Sequence, residues 1–152
     1  MCAIFGMIGK TNRDLLRKVS KIQIYRGPDN QGYYESDDKK ILLGNNRLAV
    51  IDKEKGNQPI ISADGRYVVV FNGCIYNFLE IKEYLIKKKI TFNTNSDTEV
   101  VANAFMHFQE KSFNYFDGMW SIAIYDKKNK YCFLSRDYVC LLYTSDAADE
   151  LT

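Results

Sequence analysis

No apolar stretch in this 152-residue chain approaches the roughly 20 residues that a membrane-spanning helix needs. The N-terminus has no basic segment followed by an apolar one, so no secretory signal is expected. Neither sign of charge dominates: 21 Lys and Arg stand against 19 Asp and Glu, a formal net charge of +2. The longest lysine run, Lys87-Lys88-Lys89, ends a predicted helix, where cations complement the helix dipole. Nucleic-acid binding is therefore not expected. The four cysteines (Cys2, Cys74, Cys132, Cys140) form no CxxC pair and no metal-ligand spacing, and there is one histidine. Reduced thiols in a cytoplasmic protein, with no bound metal, are the simplest expectation.

What is present suits one folded domain. The hydrophobic fraction is 46%, and 9 Phe and 11 Tyr supply large apolar side chains. The run Ala3-Ile4-Phe5 predicts an opening strand that fixes Cys2 at its buried end. Leu15, Leu16, Val19 and Ile22 recur at helical spacing, and Arg26-Gly27-Pro28-Asp29 breaks that helix. A strand is predicted around Gly32-Tyr33-Tyr34. Ile41 to Ile51 reads as a strand pair or one bent strand around Gly44-Asn45-Asn46. Tyr67-Val68-Val69-Val70-Phe71, apolar without alternation, predicts a strand buried on both faces and ended by Asn72-Gly73. Capping boxes at Asn77/Glu80 and Ser96/Glu99 open two helices, with Phe78, Ile81 and Leu85 inward on the first. Val101, Ala104, Phe105 and Phe108 line the second, and His107 falls off that stripe, toward solvent. Strands over Trp120–Tyr125 and Tyr131–Ser135 complete an α+β pattern with antiparallel pairing.

Polar islands lie at the ends of these elements. Once Met1 is trimmed, Cys2 presents a thiol and its own α-amine, with an ordinary pKa of about 7.7–8.0. An N-terminal nucleophile can use that amine as its base; an ordinary buried cysteine is the commoner alternative. Arg47 can pair bidentately with a carboxylate or simply sit on a strand surface. Asn72-Gly73 offers a side-chain amide beside an unhindered backbone N–H, the parts of an oxyanion hole, or a plain turn. Asp97, at a helix start, can hold an ammonium or merely complement the dipole. Arg26 and Asp29 flank a turn and can cross-link it. Taken singly, each island has a more common structural explanation.

Taken in order, they resemble one family. Cys2-Ala3-Ile4-Phe5-Gly6, Arg26-Gly27-Pro28-Asp29, Arg47-Leu48-Ala49-Val50-Ile51-Asp52, Gln58-Pro59, Asn72-Gly73-Cys74-Ile75-Tyr76-Asn77, Ser96-Asp97-Thr98-Glu99, Asp117-Gly118 and Arg136-Asp137 are similar to the glutaminase domain of glutamine-hydrolysing asparagine synthetases. Leu48 and Ile75-Tyr76-Asn77 favour that branch over other class II amidotransferases, which place an aromatic after the arginine. The resemblance implies an N-terminal-nucleophile hydrolase fold, a four-layer αββα sandwich. It implies hydrolysis of L-glutamine by Cys2, with Asn72 and Gly73 stabilising the oxyanion. Arg47 would bind the substrate carboxylate, Leu48, Ala49, Val50 and Ile51 would complete the pocket, and Asp97 would hold the α-ammonium beside Cys74. No cofactor is implied here; ATP and Mg belong to a C-terminal synthetase domain that receives the ammonia. A homodimer is compatible with the full-length form.

Three positions depart from the family pattern. Cys74 replaces a usual glutamate, Asn45 a usual histidine, and Ala3 a common glycine. The cysteine is similar to that of family members amidating other acids, so an acceptor other than aspartate is one alternative. A catalytically silent structural domain is another. The match covers residues 1–139. Residues 140–152 instead resemble the in-frame translation of a sequencing adapter, which implies a truncated gene and a domain incomplete at its C-terminus.

Overall fold

Seven strands and three longer helices alternate along the chain in a computed structural model that describes residues 2–138. The expectations for residues 139–152 lie outside the described residues. Strands β1 (Ala3–Ile8), β2 (Asn30–Glu35) and β3 (Ile41–Arg47) form one sheet in the order β1-β3-β2. Strands β4 (Ile60–Ile61), β5 (Tyr67–Ile75), β6 (Gly118–Asp126) and β7 (Tyr131–Arg136) form a second, in sequential order. Every pairing is antiparallel.

Helix α1 (Arg13–Ile22) covers the first sheet, while α2 (Phe78–Lys87) and α3 (Asp97–Phe108) cover the second. The layers thus run α, β, β, α, as the resemblance implies. Two apolar cores fill the gaps. Val69, Phe71 and Ile75 of β5 pack with Ile81, Leu85, Val101 and Phe105 under the helices. Val68 and Val70 face the other way, onto Ile41, Leu43, Ala123 and Tyr125 between the sheets. Because strand side chains alternate, Asn72 and Cys74 continue the row of Val68 and Val70. They project into the gap between the sheets.

Several local expectations give way to tertiary contacts. Asn72-Gly73 does not end β5: Asn72 pairs with Ser121 and Gly73 with Trp120, and the strand runs on to Ile75. A Cβ on Gly73 would overlap the Met119 carbonyl, so close strand approach accounts for this glycine. The segment 41–51 is one strand to Arg47, followed by a loop. Asn77 caps nothing with its side chain, because that amide bridges the Tyr115 carbonyl (2.9 Å) and the Asp117 N–H (3.0 Å). On α1, Leu16 and Ser20 are buried, but Leu15 and Ile22 face solvent. Residues 97–105 of α3 are buried all round, not along one stripe, because the helix lies against β5, α2 and β4. His107 is exposed. Only Ala3 of β1 is fully buried, since β1 is an edge of its sheet among the described residues.

Candidate active site

The gap between the sheets opens at one end into a cleft of about 200 Å³. Cys2 enters it from the start of β1, Arg47 and Leu48 from the end of β3, Asn72 to Cys74 from β5, and Asp97 from the start of α3. Val50 and Ile51 also line it; Ala49 does not, and its N–H is held instead by the Asp29 carboxylate at 2.7 Å. The Cys2 Sγ accepts from the Leu48 N–H at 3.4 Å. Its own carbonyl accepts from Arg26 Nε at 3.4 Å. Arg26 and Asp29 therefore do more than cross-link their turn: they hold the two segments that frame the thiol.

Asn72 is 1% exposed, and both polar atoms of its side-chain amide lack a partner. Buried amides are rarely left so, at a cost of about 1–3 kcal/mol each. The backbone beside it lies on an edge of β5 that no strand covers among the described residues. Past the end of β4, the N–H groups of Phe71 and Ile75 point to the free edge of β5, where Gln58 Oε1 (2.7 Å) and the Asp97 carboxylate receive them. Strand alternation turns the Gly73 N–H to that same edge, between them. An amide side chain and a backbone N–H are thus set close to a thiol.

Asp97 is 6% exposed, and burial raises its carboxyl pKa to about 6, against the N–H groups of Ile75 and Thr98. Among the described residues no cation lies within ion-pair distance of it. Cys74 adjoins it: burial and the Asp97 charge both push the Cys74 thiol up. Arg47, also buried, gives four of its five N–H groups to the loop that follows β3. Nη1 donates to the Lys53 carbonyl (3.1 Å) and Asn57 Oδ1 (2.9 Å), and Nη2 to the carbonyls of Ile51 (2.8 Å) and Asp52 (2.6 Å). Its guanidinium shapes the cleft wall as much as it charges it. Among the described residues no cluster of His, Cys, Asp and Glu is placed to hold a metal.

The cleft thus gathers a thiol, an unpartnered Asn72 amide with the Gly73 N–H beside it, a carboxylate without a cation among the described residues and a guanidinium. Sequence patterns match the same arrangement: residues 1–151 fit the glutamine amidotransferase domain family. The chain belongs to that family. As a glutamine amidotransferase domain it is 35% identical over 144 residues to asparagine synthetase [glutamine-hydrolyzing] 1 of Bacillus subtilis, covering 90% of this chain and 22% of that protein. Identity to the asparagine synthetase [glutamine-hydrolyzing] of Zea mays is also 35%, over 150 residues, covering 94% of this chain and 25% of the relative. The chain therefore spans about a quarter of the length of these relatives. In fold, the amidotransferase domain is similar to the glutamine phosphoribosylpyrophosphate amidotransferase of B. subtilis in complex with ADP and GMP. The TM-score is 0.72 at 17% identity, covering 90% of this chain and 37% of that one. The sandwich is that of the N-terminal-nucleophile hydrolases.

Of three further residues that hold the site, Asp52 and Gln58 fall inside the motifs of the resemblance without a role of their own, and Asn57 lies outside them. Asn57 anchors Arg47, and Gln58 anchors β5. Asp52 accepts from Asn95 N–H (2.7 Å), joining the loop to the approach to α3. Each acts through a neighbour fixed only by the tertiary fold.

Proposed function

We propose that this domain hydrolyses L-glutamine to glutamate and ammonia, with Cys2 as the nucleophile once Met1 is removed. The freed α-amine takes the thiol proton, and the thiolate attacks the side-chain amide carbon. The Asn72 amide and Gly73 N–H receive the developing oxyanion, each donor worth about 10²–10³ in rate. The proton passes to the leaving nitrogen, ammonia departs, and water hydrolyses the thioester. Asp97 takes the substrate ammonium and Arg47 its carboxylate, with Cys74 at the wall. The observation that carries this reading is the Asn72 amide, buried and without a partner in the cleft that holds the Cys2 thiol.

The names of the relatives extend the reading to the whole protein. The ammonia serves ATP- and Mg-dependent synthesis of asparagine from aspartate in a C-terminal synthetase domain of a cytoplasmic enzyme. One observation favours a second reading: with a thiol at Cys74, where the family pattern has a glutamate, the site has one carboxylate fewer for the substrate ammonium. That supports a branch that amidates a different acid. Retention of Cys2, Arg47, Asn72, Gly73 and Asp97 weighs against a silent domain. In the full-length protein, Cys2→Ala abolishes glutamate release from glutamine while ammonia-dependent synthesis continues. Glutamate release at the parent rate by Cys2→Ala, or full activity with Met1 still attached, rules this mechanism out.

A further inference from the structure

We infer that Gln58 is a positioning residue that sets the oxyanion donors and the ammonium acceptor in one register; the inference rests on the glutaminase reading above. The β4–β5 ladder pairs Ile61 with Val68 and Ile60 with Val69. Extended by two residues, that register would put Gln58 opposite Phe71. The ladder stops at Ile60, and Pro59 stands between it and Gln58. The Gln58 side chain then does the work of the missing strand. Its Oε1 accepts from the Phe71 N–H at 2.7 Å, and its Nε2 donates to Thr98 Oγ1 at 3.2 Å.

Each end of that bridge adjoins a group of the site. Phe71 precedes Asn72 and Gly73; Thr98 follows Asp97. Gln58 is itself 6% exposed and lines the cleft. Its backbone cannot drift, because β2 passes so close that a Cβ on Gly32 would overlap the Gln58 carbonyl. One side chain therefore ties β5 and α3 to a point held by the first sheet. Without it the free edge of β5 is held only at Ile75, through Asp97, and the Gly73 N–H loses its upstream brace. Its removal should disturb transition-state stabilisation through β5 and ammonium capture through α3. The two effects are separable.

The test uses the full-length protein with its Q58M, T98V and T98S variants, labelled at Cys2 and read by mass spectrometry. Iodoacetamide needs only an accessible thiol. A glutamine-shaped chloroketone, which alkylates the thiolate with loss of chloride, also needs its carbonyl oxygen on Asn72 and Gly73 and its ammonium on Asp97. Q58M is expected to keep the iodoacetamide rate within about twofold. Its chloroketone labelling at saturation should slow about tenfold or more, with a several-fold higher half-saturating concentration. T98V, which leaves Gln58 on Phe71, should raise the half-saturating concentration alone, and T98S, which keeps the hydroxyl, should match the parent. Parent-like chloroketone kinetics in Q58M overturn the inference. Should Q58M lose iodoacetamide labelling too, T98V decides: an unchanged half-saturating concentration overturns it. A parent protein that the chloroketone fails to label overturns the glutaminase reading and this inference together, and it is recognisable because the unmutated chain is inert.

Discussion

Two buried aspartates stand at opposite ends of the β5–β6 pair, in opposite chemical surroundings. Asp126, opposite Tyr67, accepts from Arg66 Nε and Nη2 at 2.9 and 2.6 Å. It also accepts from Lys128 N–H (2.9 Å), Asn129 N–H (3.1 Å) and Asn129 Nδ2 (3.0 Å). Those donors, the Arg66 guanidinium first, hold its carboxyl down to about 2. Asp97, at the Ile75 end, has backbone N–H groups but no paired cation, and burial pushes it up to about 6. The first carboxylate is complete as the chain folds. The second is left short of a positive charge, beside an asparagine left short of an acceptor. Perturbed acids of this second kind mark functional sites more often than structural ones. Here the missing partner is a cation, the part that the proposed function gives to the substrate ammonium.

The largest test of that contrast is Asp97→Asn. Removing the only carboxylate that lines the cleft among the described residues should raise KM for glutamine about 100-fold or more, the scale of a broken buried ion pair. The same change should stabilise the free protein at pH 7. With its folded pKa near 6, above the unfolded value of 3.8, ionised Asp97 costs about 3 kcal/mol at neutral pH. The folded state takes up the proton as pH falls through 6, so that cost fades and is gone below about pH 4. Allowing for N–H contacts that asparagine serves less well, a net gain of about 1–2 kcal/mol is expected at pH 7, closing toward pH 4. Urea melts at the two pH values check the stability, and kcat/KM in the parent should fall about tenfold per pH unit below 6. A destabilised variant with normal KM would make Asp97 a second structural acid.

How far these two ends were legible in the sequence differs in the same way. The β5 run and the start of α3 at Ser96 follow from local chemistry, and Ser96 does accept from the Thr98 N–H at 3.0 Å. The motifs also placed Cys2, Asn72, Gly73 and Asp97 among the candidates, and the fold brings all four to one cleft. Local chemistry failed where a distant segment decides. Asn72-Gly73 has turn composition, yet β6 supplies pairing partners and the Met119 carbonyl requires the glycine. Glu99 has capping-box spacing, yet its carboxylate holds the N–H groups of Asn93 (2.9 Å) and Thr94 (2.7 Å). Arg47 was expected at a ligand's carboxylate, and its guanidinium also holds the carbonyls of residues 51–53, in a loop with no periodic pattern. Gln58 stands in the Gln58-Pro59 motif, but nothing local gives its role, because that role is a register position on β5.

A smaller effect sharpens the Asp97 end. Cys74→Glu places a second carboxylate beside Asp97, at the wall where the thiol now stands. With glutamine bound, the added charge-assisted contact to the ammonium should lower KM by about 1.5–3 kcal/mol in binding terms, with kcat little changed. Without ligand, two carboxylates sharing one site repel, and one is forced to keep its proton. The variant should therefore be less stable than the parent when free, and should gain more in Tm on adding glutamine. An unchanged or higher KM would mean that the cleft is built around the thiol, and would favour an acceptor branch other than aspartate.

The smallest effect falls at the finished end. Arg66→Met removes the fork from Asp126 and leaves that carboxylate to backbone N–H groups and Asn129. The Arg66 side chain is 29% exposed, so water replaces part of what is lost, and a Tm lower by roughly a few °C is expected at pH 7. Asp126 is depressed below its unfolded value, so the stability it confers is present above about pH 4 and is lost as pH falls through 2. The gap in Tm between parent and variant should accordingly be full at pH 7 and shrink from pH 4 downward. This is the reverse of the Asp97→Asn difference, which closes between pH 6 and 4 because the free acid there gains a proton on folding. Glutamine hydrolysis at pH 7 should be unaffected at temperatures well below either midpoint. If the gap stays constant down to pH 2.5, packing of the Arg66 stem on the Tyr67 ring, 4.8 Å from the guanidinium carbon, and not the ion pair, holds that end of the strands together.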